Sequence, residues 1–387
     1  EGDELTLSLI VNNYLTAEKR TRFTLDSPGL EFLDGKSREL SAPSKGEAKA
    51  DFRVRVKPGR ELTLLAKALT NEESDAVELT LPVKPFGIPL SQSKSGRDSA
   101  ELSLNIPAKS VPSSRTLEVQ LSPSVAGPIF TALDYLTQFP YGCTEQTMSG
   151  LLPNIIVSRT FRDLGLKPRL DPAALQEKIQ AGFDRLLDYQ HTDGGWGWWK
   201  SDESSEYMTA LVVEGLARAQ QAGHSTPATE AARRRGAEWL RTRFETLRDE
   251  DDLRAYIAYS LAIHDGKAGL FADAAWRSRD RLSPQALAQL GLAYQLSQDP
   301  RALEIAARLE TSVKQNTEEA WWESGEDRSL HFLYDTSPEA TAAVVKLLTQ
   351  SKPQSPLLPK AAQWLVAHRS EGFYWHSTKQ TALVVDA

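Results

Sequence analysis

A single cysteine, Cys143, has the clearest potential for chemistry in this chain of 387 residues. One cysteine cannot form a disulfide within the chain. A lone cysteine is most often an inert, buried apolar side chain, whereas an ionised thiol acts as a nucleophile or a leaving group. Its neighbours decide between the two, and they form the run Pro140-Tyr141-Gly142-Cys143-Thr144-Glu145-Gln146-Thr147-Met148.

This run resembles the Pro-Tyr-Gly-Cys-x-Glu-Gln thioester signature of the alpha-2-macroglobulin and complement thioester proteins. The matching residues here are Pro140, Tyr141, Gly142, Cys143, Glu145 and Gln146. The resemblance implies a thioester between Cys143 and Gln146, with Gln146 as the acyl donor and Cys143 as the leaving group. A lysine amine or a hydroxyl on a target protein would be the nucleophile. Glu145 belongs to the signature, but its spacing assigns it no role.

The spacing of Cys143 and Gln146 is compatible with this chemistry. Residues i and i+3 at a helix start lie on one face, so the thiol can reach the side-chain amide. Attack of the sulfur with loss of ammonia would leave a strained thioester, and a helix N-terminus favours a thiolate leaving group. Gly142 leaves room for a close approach of the backbone. The candidates for shielding such a bond from water are the aromatic residues Tyr135, Phe139 and Tyr141, for which core packing is an equal alternative.

The first 86 residues carry the pattern of an all-β sandwich. Apolar residues occupy every second position in several runs, which is typical of half-buried strands. The clearest runs are Leu5–Val11, Ala50–Val56 and Val77–Val83. After a hinge at 85–89, two more alternating runs at 102–106 and 117–121 predict strands of a second β unit. Two strands are too few for a stable sheet, so the rest of this unit is expected beyond residue 387.

From about Gly127 the apolar period becomes helical, and the sequence repeats itself. The run Thr209-Ala-Leu-Val-Val213 recurs at 341–345 and 381–385, and weaker copies start near 147, 255 and 288. The starts are about 47 residues apart on average, which accommodates two helices with loops, and such pairs bury their inner faces only against neighbours. We therefore predict six helix pairs in a ring, an (α/α)6 toroid, in preference to an open solenoid with polar caps.

The order of these regions follows the plan of the resembled family. There, the signature opens an α/α toroid inserted into a CUB-type β domain, and macroglobulin β-sandwich domains precede both. We therefore expect a multidomain chain with a macroglobulin-like β-sandwich at 1–86, a partial CUB-like β unit at 87–126 and an α/α toroid thioester domain at 127–387. All nine tryptophans and all six histidines lie in the third region, which agrees with a change of domain.

The resemblance implies that the chain is part of a bacterial-type alpha-2-macroglobulin, a broad-spectrum protease inhibitor and not an enzyme. In that family a bait segment is cleaved, the domains rearrange, and the exposed thioester couples to the attacking protease. The expected partners are therefore target proteases, bound covalently through the acyl group of Gln146. The resemblance also implies a role in bacterial defence and a periplasmic location, with any lipid anchor to the inner membrane outside this chain. No cofactor is expected, and the histidines show no metal-ligand spacing.

The composition argues against several other classes of protein. The chain has 45 Lys and Arg against 52 Asp and Glu, a net charge of −7, which disfavours nucleic acid or an anionic membrane surface as a partner. No apolar run approaches the roughly 18 residues of a membrane span. The chain begins at Glu1 without a methionine, a signal peptide or a lipid-attachment box, so we expect a piece of a larger protein.

A different set of residues supports a different class of protein, an isoprenoid cyclase. The segment Gln190–Trp199 resembles the Gln–Trp repeat of terpenoid cyclases, which share the toroid, and Asp249–Asp252 matches their Asp-x-Asp-Asp acid. That acid must be buried to hold a proton at neutral pH, so an exposed acidic helix cap is the favoured interpretation. Two further hypotheses are a non-covalent interaction domain with an inactive thioester, and a Cys–His hydrolase that pairs Cys143 with His191 or His376.

Overall fold

The computed structural model describes residues 1–92, 94, 101–119, 121, 142–163, 171–323, 336–369 and 374–387. The chain divides into two compact units, Glu1–Leu90 with Asn105–Glu118, and Ser91–Leu104 with Val119–Ala387. Strands form the first unit, and helices dominate the second. The predicted change from β to helical structure is therefore confirmed, whereas the domain boundaries at 86 and 126 stay a prediction.

Seven strands form two antiparallel sheets in the described part of the first unit. They are β1 (Glu4–Asn12), β2 (Lys19–Asp26), β3 (Leu30–Phe32), β4 (Ser37–Ala42), β5 (Glu47–Val56), β6 (Glu61–Leu69) and β7 (Ser74–Pro82). The strand orders are β1-β5-β3 and β4-β2-β6-β7. Phe52 of β5 and Phe23 of β2 are fully buried in one apolar cluster to which both sheets contribute. This shared core makes the unit a sandwich.

Two expectations for the β region differ from the structure. Val77, Leu79 and Leu81 alternate as predicted, but they are 43–52% exposed, because β7 is the edge of a four-stranded sheet and the other sheet has three strands. Residues 101–119 contain no strand, only a 3₁₀ turn at Pro112–Ser114. The predicted strands at 102–106 and 117–121 are therefore wrong for the described residues, since two strands without partners do not hold a sheet.

Eleven α-helices occur in the described part of the second unit. They are α1 (Thr144–Asp163), α2 (Pro172–Tyr189), α3 (Glu206–Gln221), α4 (Pro227–Phe244), α5 (Asp251–Asp265), α6 (Leu270–Trp276), α7 (Pro284–Gln295), α8 (Arg301–Thr311), α9 (Ser337–Ser351), α10 (Leu357–Ala367) and α11 (Thr378–Asp386). A hairpin of two short strands, β8 (Lys314–Gln315) and β9 (Ala320–Trp321), follows α8. None of the described helices has the length and apolar character that a membrane span requires.

Six of these helices pack in a closed cycle. Each odd-numbered helix contacts the next odd-numbered one, from α1 to α11, and α11 contacts α1. The helices α2, α4, α6, α8 and α10 each pack on the helix that precedes them in the chain. All six predicted repeat starts lie on the odd-numbered helices. The repeat therefore marks the helices of the cycle, which for brevity we call the inner helices.

A buried tryptophan and a buried threonine explain three copies of the repeat. In each copy the backbone N–H of the tryptophan donates to the hydroxyl of the threonine that starts the repeat. The pairs are Trp196–Thr209, Trp322–Thr341 and Trp375–Thr381, at 2.9, 3.1 and 3.0 Å. Each indole N–H donates to a backbone carbonyl of the preceding even-numbered helix, that of Leu186, Leu309 or Leu365. The pair thus links one inner helix to the helix before it.

A glycine permits the close contact between α1 and α3. The terminal methyl group of Met148 would lie 1.8 Å from a Cβ placed on Gly215, and Met148 is 1% exposed. Any larger residue at position 215 would displace Met148 from this place. The small residue therefore fixes how closely α3 approaches the first turns of α1.

Replacing Thr341 with valine should lower the free energy of unfolding by about 1–3 kcal/mol, because the buried N–H of Trp322 loses its acceptor. Urea denaturation measures this change. The control is Thr311→Val on α8, where the hydroxyl is exposed and bonds its own helix, with an expected change of less than about 0.5 kcal/mol. Equal effects of the two substitutions would show that the hydrogen bond to Trp322 contributes nothing.

Candidate functional site

The backbone of Cys143 contacts the side chain of Gln146 at the start of α1. The helix begins at Thr144, so Cys143 directly precedes it and Gln146 is its third residue. The backbone N–H of Cys143 donates to Oε1 of Gln146 at 3.1 Å. Cys143 is 7% exposed, whereas Gln146 is exposed. The structure thus brings the two residues together with the amide towards solvent, and the thioester between them stays a prediction.

Gly142 allows this contact. Its φ of +109° lies in the left-handed region, which side chains other than glycine rarely adopt. A Cβ on this residue would lie 1.9 Å from Oε1 and 2.7 Å from Cδ of Gln146. Every other amino acid would therefore expel the Gln146 amide from its position against the backbone.

A residue that the sequence did not indicate holds the other side of this turn. Arg185 of α2 donates from Nη2 to the backbone carbonyl of Gly142 at 2.5 Å. The same nitrogen donates to the hydroxyl of Tyr189 at 2.7 Å, and the guanidinium lies 4.7 Å from the centre of the Tyr189 ring. One turn of α2 separates the two residues. An arginine and a tyrosine four residues apart occur in many helices, so no local signal could have assigned this contact.

The segment Gln190–Trp199 also supports the first turn of α1. It is a turn between α2 and α3, as predicted, in which the N–H of His191 donates to the carbonyl of Gly195 at 2.9 Å. The carbonyl of Trp198 accepts from the backbone N–H of Thr144 at 2.9 Å and from its hydroxyl at 3.3 Å. The segment therefore satisfies one of the N–H groups that a helix start leaves free.

Glu145 faces the interior of the helical unit. Its carboxylate accepts a hydrogen bond from Ser149 at 2.7 Å, and a weaker one from Thr378 of α11 at 3.4 Å. Behind Thr378, Lys379 and Glu339 form a buried ion pair at 2.7 Å. Burial raises the pKa of Glu145, and the bonds from Ser149 and Thr378 and the charge of Lys379 offset this only in part. Glu145 thus connects the turn that holds Cys143 to the helix that closes the cycle.

The sequence predicts that the helix start favours the thiolate of Cys143, but the pKa of this thiol is raised. Burial raises the pKa of Cys143, and the negative charge of Glu145 acts in the same direction. Hydrogen bonds from the backbone N–H groups of Gln146 and Glu145 lower it, but by less. A helix N-terminus favours a thiolate, yet here the removal of water from the sulfur outweighs it.

Several residues that the sequence indicated make their described contacts with groups other than Cys143 and Gln146, or lie outside the described residues. Tyr135, Phe139, Pro140 and Tyr141 are outside them, so the shielding aromatics stay a prediction. The ring nitrogens of His191 contact Ser204 and the carbonyl of Trp199. His376 is exposed, and its backbone N–H donates to Gln380. In the described ranges no cluster of three or more His, Cys, Asp or Glu could hold a metal ion.

The acidic run of the cyclase hypothesis does not form a buried acid. Asp251 and Asp252 open α5, where Asp251 pairs with Arg281 at 2.7 Å and Asp252 accepts from the N–H of Ser283 at 2.9 Å. Partial burial acts to raise the pKa of Asp251, but the hydrogen bonds and the charge of Arg281 lower it overall. A proton donor needs the opposite shift. The two acids lie in the first turn of α5, as expected of an acidic helix start, but they are half-buried and bond groups outside the helix.

The cavity between the inner helices is equally unsuited to an isoprenoid. Its volume is about 60 Å³, and its lining includes Glu214, Glu339, Lys346 and Lys379. Pockets for organic ligands usually measure about 300–1,000 Å³, so this cavity is too small for one. This space holds a few water-sized molecules next to buried charges. Neither the acidic run nor this cavity therefore supports the cyclase hypothesis.

Comparison with known proteins agrees with this site. The family model described as A-macroglobulin TED domain matches residues 119–246. The alpha-2-macroglobulin of Escherichia coli is 32% identical over 286 residues, which are 69% of this chain and 16% of that protein. The alpha-2-macroglobulin of Thermotoga maritima is 29% identical over 244 residues, 62% of this chain and 15% of that protein. The crystal structure of Salmonella alpha-2-macroglobulin reacted with methylamine has the same fold, with a TM-score of 0.61 at 22% identity over 99% of this chain and 26% of that one.

A cysteine and a glutamine placed together at the start of a cycle of helices define the class of thioester-containing domains. The chain belongs to the alpha-2-macroglobulin family and carries the thioester-containing domain of that family. It spans about a sixth of the length of the two curated relatives.

Replacing Glu145 with glutamine should raise the free energy of unfolding at pH 7.5, because burial disfavours the charged form of the carboxyl group and glutamine carries no charge. The pKa of Glu145 is higher in the folded than in the unfolded chain, so its charge disfavours the folded state above the folded pKa. The gain should disappear as the pH falls below both values, where the carboxyl group is protonated in both states.

Urea denaturation between pH 4 and 8 measures this difference. The control is Glu304→Gln, an exposed position on α8, which should change the free energy of unfolding by less than about 0.5 kcal/mol. A Glu145→Gln variant that is less stable than the parent over the whole pH range would contradict the expected cost of burying the charge.

Proposed function

We propose that this chain is part of a covalent protease trap of the alpha-2-macroglobulin type, with a thioester between Cys143 and Gln146. The observation that carries the proposal is the 3.1 Å contact from the Cys143 N–H to Oε1 of Gln146, over a glycine that leaves no room for a Cβ. This arrangement holds the amide of Gln146 beside the cysteine. Two relatives that match 62% and 69% of this chain are both named alpha-2-macroglobulin.

The proposed reaction is one acyl transfer and not turnover. The thiol of Cys143 attacks Cδ of Gln146 and ammonia leaves, which gives the thioester. A lysine amine of a protease then takes the acyl group, and Cys143 is released as a thiol. Because Gln146 becomes an amide of the target protein, each chain reacts once. This is the behaviour of an inhibitor, and it requires no cofactor.

We infer that the helical unit is an (α/α)6 toroid, in which the inner helices form the inner layer. The closed cycle of contacts from α1 to α11 and back to α1 supports this architecture. So do the paired helices that follow the first five members of the cycle. In this arrangement α1 has the closing helix on one side and α3 on the other, so the thioester lies where the first and last members of the cycle meet.

The remaining parts of the mechanism belong to the whole protein. The bait segment, the rearrangement after its cleavage and the broad range of proteases are proposed from the family. The same applies to the shielding of the thioester by Tyr135, Phe139 and Tyr141, and to the partial CUB-like unit at 87–126, although its described residues 101–119 form no strand in this structure. A bacterial relative in Escherichia coli supports a bacterial origin, and we propose the periplasm as the location.

The full-length native protein should be lighter than its sequence mass by one ammonia. Methylamine should open the thioester, place a methylamide on Gln146 and free the thiol of Cys143. Intact-mass measurement and peptide mapping detect all three changes. Cys143→Ala should have the unmodified mass, should not react with methylamine and should capture no protease covalently, while its thermal unfolding stays close to that of the parent. A parent protein with unmodified mass and a free thiol would leave the non-covalent interaction domain as the better proposal.

Replacing both Asp251 and Asp252 with asparagine should leave covalent protease capture unchanged. The two carboxylates lie in the first turn of α5 and bond Arg281 and the N–H of Ser283, so their loss should cost about 1 kcal/mol of stability. Gel analysis of protease conjugates and urea denaturation measure the two quantities. Isoprenoid cyclisation by the parent that is lost in this double variant would favour the cyclase instead.

A further inference from the structure

The peptide unit between Gly142 and Cys143 is held at both ends. Its carbonyl accepts from Nη2 of Arg185 at 2.5 Å, and the hydroxyl of Tyr189 lies 3.5 Å from the same oxygen. Its N–H donates to Oε1 of Gln146 at 3.1 Å. The C=O and N–H of a trans peptide point in opposite directions. The guanidinium and the Gln146 side chain therefore bind opposite edges of the same peptide plane.

We propose that Arg185 is a positioning residue for the acyl transfer at Gln146. It fixes and polarises the Gly142–Cys143 peptide, so that the N–H of Cys143 stabilises the negative charge that develops on Oε1. The inference rests on the proposed thioester function and adds to it an oxyanion-binding group and the residue that orients this group. Arg185 lies outside the thioester signature, on a different helix.

The charge on Oε1 follows from the reaction itself. The lone pair of an amine nitrogen forms a bond to Cδ of Gln146, and the electron pair of the C=O bond moves to Oε1. When this pair returns, the Cδ–Sγ bond breaks and its electrons remain on the sulfur of Cys143. The proton lost by the amine nitrogen neutralises the thiolate, which leaves an amide and a thiol. Donors placed at such an oxygen stabilise the transition state more than the ground state.

Two properties of the site make the effect of Arg185 large. The raised pKa of Cys143 makes its thiolate a poor leaving group, so the reaction depends more strongly on stabilisation of the oxyanion. Arg185 is partly buried, and a cation bonded to a carbonyl strengthens donation by the N–H of the same peptide when water is scarce. Tyr189 accepts from Nη2 of Arg185 at 2.7 Å and holds the guanidinium in place.

The test compares Arg185→Met and Arg185→Lys in the full-length protein, with Arg308→Met as the control. Arg308 pairs with Asp280 on the surface at 2.5 Å, away from α1. The readout is the second-order rate constant for methylamine, measured by mass at Gln146 and normalised to the thioester present at the start. Arg185→Met should react about 10- to 100-fold more slowly than the parent. Arg185→Lys should recover most of the rate, and Arg308→Met should match the parent.

Thermal unfolding and methylguanidine distinguish this role from simple support of the fold. Millimolar methylguanidine should accelerate Arg185→Met and leave the parent unchanged, which a purely structural residue would not show. A fully loaded Arg185→Met thioester that reacts within twofold of the parent overturns the inference and leaves the proposed function intact. A parent protein without any thioester defeats the proposed function itself.

Formation of the thioester passes through the same oxyanion. The presence or absence of the thioester in the Arg185 variants therefore also tests the inference. A folded Arg185→Met variant that lacks the thioester, beside an Arg185→Lys variant that has it, supports the inference. If both variants lack it, Arg185 is needed only to build the turn, and the inference is overturned.

Discussion

The first turn of α1 is held by hydrogen bonds from three separate elements, and the arrangement of Cys143 and Gln146 depends on them. Arg185 of α2 binds the carbonyl of Gly142, the carbonyl of Trp198 binds the N–H of Thr144, and α11 reaches Glu145 through a hydroxyl. A glycine with a positive φ is needed to make this turn. Without these contacts the helix start would be free to fray, because the first N–H groups of a helix lack partners within it.

The cycle of helices brings these three elements together. Its inner helices approach closely where small residues face them, as Gly215 faces Met148. It also buries charges at the point of closure, where the Lys379–Glu339 pair connects α11 to α9. Breaking such a buried pair usually costs about 3–5 kcal/mol, because the remaining charge is left without a partner. The position of α11 next to Glu145 is therefore defined by strong and directional interactions.

Burial acts on the two ionisable groups of the site in the same direction. It raises the pKa of Cys143 and that of Glu145, so both favour their neutral forms. A neutral, buried thiol agrees with the proposed thioester, which must survive until it is needed. In the proposed acyl transfer a poor leaving group has a cost in rate, which the proposed N–H donor at the acyl oxygen would offset only during the transfer.

Local spacing in the sequence is enough to predict several features of the fold and the site. Cys143 and Gln146 are three residues apart at a helix start, the strands have a period of two, and the recurring threonines mark the inner helices. Packing between distant elements determines which groups complete the site. The contacts to Arg185, Trp198 and Thr378 span 43, 54 and 233 positions along the chain. Periodicity shows which face of an element is buried, but it does not show which element lies against that face. For the same reason the net pKa of Cys143 depends on the packed interior and not on its place at a helix start.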